Sequence, residues 1–429
     1  MKASLAGFWA VAIGLGALAC SPAALPADPS PMSTSTSDPA PVAPPWAATG
    51  PSFAADLAFL EAHGDVILLE APHGARVAVS PTYQGRVMTS AVSPDGSSLG
   101  YLNRKFIERG TTGTAFDNYG GEDRFWLGPE GGPYALYFAP GDAQDFDHWQ
   151  TPASLQEGAW EAREVTAREV TFMRPMTLTN YAGTELTMEV RRRVRLLGAG
   201  EVGAMLKREV SLEDLSWVAF ETENTITNTG KEAWTAETGL PSIWILAMYN
   251  PSPDTWVVVP FDTEAEGAIV KDDYFGKVPG ERLVVDEGGW LFFAADGEHR
   301  SKIGLPPGRA GAFAGSYAPS SRQLTVVSYN APQSVAEGYV NSMWGEQHDP
   351  YAGDVINAYN DGPVAPGQPA LGGFYEIETS SPAAALAPGA SLTHRHRTLH
   401  LVGDPAALAP ISEAALGRSP AQLDRGAIE

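Results

Sequence analysis

The run Gly373-Phe-Tyr-Glu-Ile-Glu-Thr379 sets two carboxylates two residues apart among strand-forming neighbours. In a strand, Phe374, Glu376 and Glu378 share one face while Tyr375 and Ile377 take the other. If Tyr375 and Ile377 pack inward, the glutamates face a cleft, about 7 Å apart. Like charge at that separation lifts one pKa toward the range of a general base, which makes Glu376 the candidate proton acceptor. Two solvated glutamates on an edge strand are the alternative. His148, in DFDHWQTP, is the candidate proton donor, with Trp149 beside it as a wall on which a sugar ring stacks. A histidine bonded to a backbone carbonyl is the competing role.

Residues 118–138, NYGGEDRFWLGPEGGPYALYF, gather Glu122, Asp123, Arg124 and Glu130 around Trp126 and break the chain with five glycines and two prolines. Glycine lets a main chain approach a ligand, and charge beside an indole suits sugar binding and acid/base chemistry. Alternatively, Glu122 or Asp123 ties Arg124 down in a tight turn. Arg300, Lys302 and Lys277, with Arg124, could hold a carboxylate or sulfate, or else be absorbed in ion pairs by the excess acid. The stretch from Trp344 to Gly362 is a long polar loop expected to wall the cleft, with Trp344, His348 and Asn357 as contacts. Its Asp354, Asn357 and Asp361 make calcium an alternative, although no EF-hand or zinc spacing is present. Asx side chains capping their own turns explain the same residues. His394, His396 and His400 alternate on the last strand. They read as a polar strand face in preference to a zinc site, for which no cysteine is at hand. No cofactor is otherwise expected, because phosphate loop, Gly-x-Ser-x-Gly elbow and dinucleotide fingerprint are all absent from the sequence.

The elements that must position these groups are strands. From Asp65 onward the chain runs through segments such as ARVAVSP, TELTMEVRRRVRLL, WVAFETENTITN, TWVVVPF and QLTVVSYN, bounded by Gly, Pro, Asn or Asp. Without a regular alternation of helices this predicts an all-β fold, a large antiparallel β-supersandwich with few short helices. Arg191 to Arg193 with Arg195 read as a strand edge. Helices are expected at Phe53, Leu57 and Leu60, around Val335–Ser342, and from Pro405 to Leu416. The division is 51–410 as one domain and 411–429 as a C-terminal helix or tail.

The N-terminus carries an export pattern. Lys2 precedes an apolar run over residues 4–19 that ends at Cys20, the single cysteine. Ala17-Leu18-Ala19-Cys20 resembles a bacterial lipobox, with alanine where leucine is usual. It implies lipidation of Cys20, with an ordinary secretory signal as the alternative. Ser21 leans toward the outer membrane by analogy with such lipoproteins. Residues 21–50, rich in Pro, Ala, Ser and Thr, read as a disordered tether, so residues 1–20 are the signal and the lipid is the one membrane contact. With 28 Lys+Arg against 51 Asp+Glu and a net charge of −23, nucleic acid is not an expected partner.

GARVAVSPTYQGRVMTSAV resembles the first hairpin of galactose-mutarotase-like proteins, and GGFYEIETSSPAAALAPGASLTHRHRTLHL resembles their last strands. GGEDRFWLGPEGG, with DHWQTP after it, is similar to a family of bacterial lipoproteins in that superfamily with no established reaction. The resemblance covers roughly residues 65–402. It implies a concave sheet face that holds a carbohydrate, and, by location alone, Glu376 as the base. The expected function is carbohydrate-directed acid/base chemistry of epimerase, lyase or glycosidase type at the cell surface. A non-catalytic glycan-binding lipoprotein is the alternative.

Overall fold

The computed structural model describes residues 51–332, 338–363 and 367–427. The signal, Cys20 and the tether lie outside the described residues, as do residues 335–337 of the expected Val335–Ser342 helix. Every ladder between the named strands is antiparallel, in sheets of three, ten and five strands. The three-stranded sheet holds Ile67–Glu70, Arg76–Ser80 and Arg86–Ala91. The ten-stranded sheet includes Glu185–Leu196, Ser216–Asn228, Ser391–Val402 and Gln323–Tyr329. The five-stranded sheet runs, in spatial order, Ser301–Leu305, Ile356–Asn360, Tyr375–Ser380, Ser242–Tyr249, Arg124–Gly128.

Alternation decides which side of each strand is buried in the sandwich. Tyr375 and Ile377 pack with Ala247, Ile303 and Ala358 of their own sheet and with Val257 and Val327 of the ten-stranded sheet. The Tyr375 hydroxyl meets Ser316 Oγ at 2.8 Å, a polar link between the two sheets. The opposite face of the five-stranded sheet is thereby turned outward, and that face is the floor of the cleft. The ten-stranded sheet buries its other face beneath the helix Pro405–Leu416, whose Leu408, Ile411, Ala415 and Leu416 pack with Leu324, Val326, Leu399 and Leu401. That helix runs through residue 410 without a break.

Three local expectations are corrected. Arg191–Arg195 lies in an interior strand, because the ladder of Glu221 and Glu223 beside it neutralises the arginines: Arg195 meets Glu221 at 2.8 Å and Arg191 meets Glu223 at 3.5 Å. Residues 338–342 are not helical, since Tyr339 bridges Ala352 instead. The three histidines of the last strand are buried between the sheets and not on a polar surface. His394 Nε2 and His396 Nδ1 each lie 2.9 Å from the Thr379 hydroxyl, and His400 Nε2 lies 2.8 Å from Glu122. Burial holds His394 down to about 3 and His396 to about 4, so both are neutral imidazoles near pH 7.

Candidate functional site

The outward face of the five-stranded sheet presents Lys302, Tyr359, Glu376 and Met248 in one cross-strand row, and Asn357, Glu378, Leu246 and Arg124 in the next. Trp244 and Trp126 pair directly in a third. The two ion pairs on this floor run diagonally between the rows. Arg124 Nη2 reaches Glu376 Oε1 at 3.0 Å, and Lys302 Nζ reaches Glu378 Oε2 at 2.9 Å. Each cation spans one intervening strand to do so.

Aromatic rings frame these charges. The Arg124 guanidinium lies 4.1 Å from the Trp126 ring centroid and 5.2 Å from that of Phe116, and Lys302 Nζ lies 4.9 Å from Trp244. Trp149, Trp344, Phe374 and Phe275 complete the walls of an open space of about 780 Å³. Glu130 enters from the loop after the Arg124–Gly128 strand and accepts the Trp149 indole N–H at 2.9 Å. Glycines make this approach possible. A Cβ on Gly131 would stand 2.4 Å from the Met343 carbonyl oxygen, so only glycine lets the two loops touch and brings Glu130 near Trp344.

Burial and neighbouring charge set the proton affinities. Glu376 is 5% exposed, and burial pushes its carboxyl up to about 7 even though Arg124 opposes the shift. Burial also raises Glu130, against the pull of Lys302. Lys302 loses proton affinity to burial, but Glu378 and Glu130 outweigh that loss and hold it above its ordinary value. Arg124 Nε and Nη1, Trp126 Nε1 and Glu378 Oε1 have no hydrogen-bond partner among the described residues. A cleft floor of this kind can hold a polar ring by hydrogen bonds, stack its apolar face on indoles, and exchange a proton near neutrality through Glu376.

Of the residues singled out in the sequence, Arg124, Trp126, Glu130, Trp149, Arg300, Lys302, Trp344, Glu376 and Glu378 come together here. Others do not. Asp123 turns away, pairing with the buried Arg192 at 2.6 Å and accepting from the Thr222 hydroxyl at 2.9 Å. Glu122 likewise points between the sheets, to His400 at 2.8 Å and Ser90 at 2.6 Å. Neither ties Arg124. His148 is an exposed surface side chain 2.6 Å from Asp145, outside the cleft, so its role as proton donor is corrected. Lys277 is exposed and pairs with Asp272 at 2.7 Å. His348 lines a separate surface hollow with Gln144 and Glu346. Asn357 gives its amide to the Ile303 carbonyl at 3.1 Å and the Tyr274 hydroxyl at 3.3 Å.

Asp354 accepts from the Tyr274 hydroxyl, while Asp361 caps the backbone N–H groups of Gly372 and Gly373 at 2.8 and 2.7 Å. These two aspartates and Asn357 therefore serve local structure, and no group of three or more His, Cys, Asp or Glu converges among the described residues. Sequence reasoning missed Trp244, Leu246 and Met248. All eight residues of SIWILAMY are buried, so no alternation betrayed which of them faces the cleft.

Residues 51–425 match a described protein family over most of the chain. The chain belongs to the Family of unknown function (DUF6786). A search of curated proteins finds no match. Among solved structures this family member is similar to a candidate aldose 1-epimerase from Escherichia coli K12, at 13% identity and TM-score 0.47, covering 78% of this chain and 98% of that one. It is also similar to a galactose mutarotase-like protein from Lactobacillus casei, at 11% identity and TM-score 0.43, covering 78% and 100%. A galactose mutarotase related enzyme from Lactobacillus acidophilus gives 10% identity and TM-score 0.44, covering 78% and 97%. At such distances the chemistry of the cleft is read from its own side chains.

Proposed function

We propose that this protein is a carbohydrate-active enzyme that performs acid/base chemistry on a sugar ring in the cleft over the five-stranded sheet. The observation that carries this reading is Glu376: a buried carboxyl raised to about 7, bonded to Arg124 on the floor of an aromatic-walled space. A proton acceptor works best with its pKa near the working pH. Arg124 fixes the orientation of Glu376 and counters negative charge that builds up on the substrate. In place of His148, Glu130 is the proton donor, since burial favours its protonated form and the Trp149 N–H holds it in place. Trp126, Trp149 and Trp244 supply stacking faces for the ring. The proposed chemistry uses side chains alone, and epimerase, lyase and glycosidase reactions all fit a paired acid and base. With it we propose export and a lipid anchor at Cys20, directed to the outer membrane.

The test is the full-length protein, in detergent, incubated with a glycan panel and scored for new reducing ends, unsaturated products and anomeric exchange. Product formation abolished by Glu376→Gln supports an enzyme. Sugar binding with no product, unaffected by Glu376→Gln, supports the glycan-binding alternative. Metabolic labelling with a fatty acid, lost on Cys20→Ser, tests the anchor.

A further inference from the structure

We propose that the cleft selects an acidic glycan, and that Arg300 at its mouth recognises the anion. This rests on the carbohydrate reading of the cleft. Three cations line the space, and two of them are answered: Arg124 by Glu376 at 3.0 Å and Lys302 by Glu378 at 2.9 Å. Arg300 forms no ion pair among the described residues. Its guanidinium carbon lies 3.9 Å from the centroid of Phe275 and 5.9 Å from that of Phe146. The guanidinium hydrogen-bonds the Tyr359 hydroxyl, which itself donates to Asp361 at 3.0 Å, and the Asp361 carboxylate is further held by the N–H groups of Gly372 and Gly373. Arg300 is half-buried at the cleft wall with its Nε lacking a hydrogen-bond partner among the described residues, and a guanidinium fits a carboxylate or a sulfate with two parallel hydrogen bonds.

The mouth has a second unusual feature. Phe146 is 56% and Phe275 40% exposed, and large apolar side chains left in water at the rim of a cleft mark a binding surface. A second space of about 1300 Å³, open to solvent, shares Glu130, Phe275, Arg300, Lys302 and Trp344 with the inner one. The groove is therefore longer than the floor beneath Glu376. A sugar unit held over Glu376 directs its neighbour toward Phe146, Phe275 and Arg300, and the neighbour is the unit whose carboxylate or sulfate is read. The net charge of −23 opposes a polyanion at a distance, but screening confines that repulsion to about 8 Å at physiological salt, inside which the local cation dominates.

Calorimetric titration of the full-length protein with maltotriose, trigalacturonate and O-sulfated maltotriose tests the idea. At least one charged ligand is expected to bind about tenfold more tightly than the neutral one. Arg300→Ala should erase that preference, and Arg300→Lys should restore part of it, because charge returns without the fork. Whichever charged ligand binds more tightly names the anion. A neutral ligand bound as tightly as both charged ones, or a preference that survives Arg300→Ala in a variant melting like the parent, overturns the inference and leaves sugar chemistry at Glu376 standing. Failure of every sugar to bind overturns both.

Discussion

Replacing Glu376 by glutamine keeps the size of the side chain and an acceptor oxygen for Arg124 but removes the titration. The folded carboxyl sits at about 7 against an ordinary 4.5, chiefly because burial disfavours its charge. That gap corresponds to about 3 kcal/mol of linkage between protonation and folding. Since the side chain is 7% exposed, solvent screening does not discount it. The sign follows from the direction of the shift. The native state holds this proton more tightly than the unfolded chain, so the contribution is complete below pH 4.5 and is lost as pH rises through about 7. Urea unfolding followed by tryptophan fluorescence, for parent and Glu376→Gln across that window, reads the titration of Glu376 together with the groups coupled to it, because titrations away from the cleft cancel in the difference. The parent should lose about 3 kcal/mol relative to the variant between pH 4.5 and pH 7. A difference that stays constant over the window, or grows in the parent's favour, would refute the assignment of a raised pKa to Glu376. The same group predicts that kcat/KM rises with pH through about 7, since an acceptor must be ionised to work.

Other expectations concern the surrounding shell. Lys302→Met leaves Glu378, whose side chain is 1% exposed, without its cation and should cost about 3–5 kcal/mol in urea unfolding; adding Glu378→Leu should recover most of it. Trp149→Phe removes the N–H that holds Glu130 and lowers its pKa, so the alkaline limb of kcat/KM should move to higher pH. His148→Ala should leave kcat/KM within about twofold of the parent, because the side chain is exposed and engaged with Asp145; a loss of two orders of magnitude would return the donor role to His148.

Alternation made part of the site legible. Phe374, Glu376 and Glu378 occupy one face of their strand and Tyr375 and Ile377 the buried one, as the period of two requires. Arg124 with Trp126, and Arg300 with Lys302, share faces for the same reason. The reading broke down just before Arg124. Gly120 and Gly121 adopt φ of +82° and +119°, and a Cβ on Gly121 would stand 2.3 Å from Arg86 Cδ. Through this turn Glu122 and Asp123 lead inward, and they find His400 and Arg192 between the sheets. His148 was misjudged because a histidine beside tryptophan looks the same in sequence whether its ring faces a cleft or water.

The amino-acid sequence by itself determined that the chain builds antiparallel strands, and which side chains of the partly polar strands share a face, because side-chain direction alternates with backbone geometry alone. It also carried the family resemblance. Only the tertiary structure decided which face became the floor and which charges meet. Arg124 lies 252 residues from Glu376 and Lys302 76 residues from Glu378, and the lateral pairing of distant strands within one sheet is what joins them. Burial then set the proton affinity of Glu376, a property of its surroundings that no local spacing encodes.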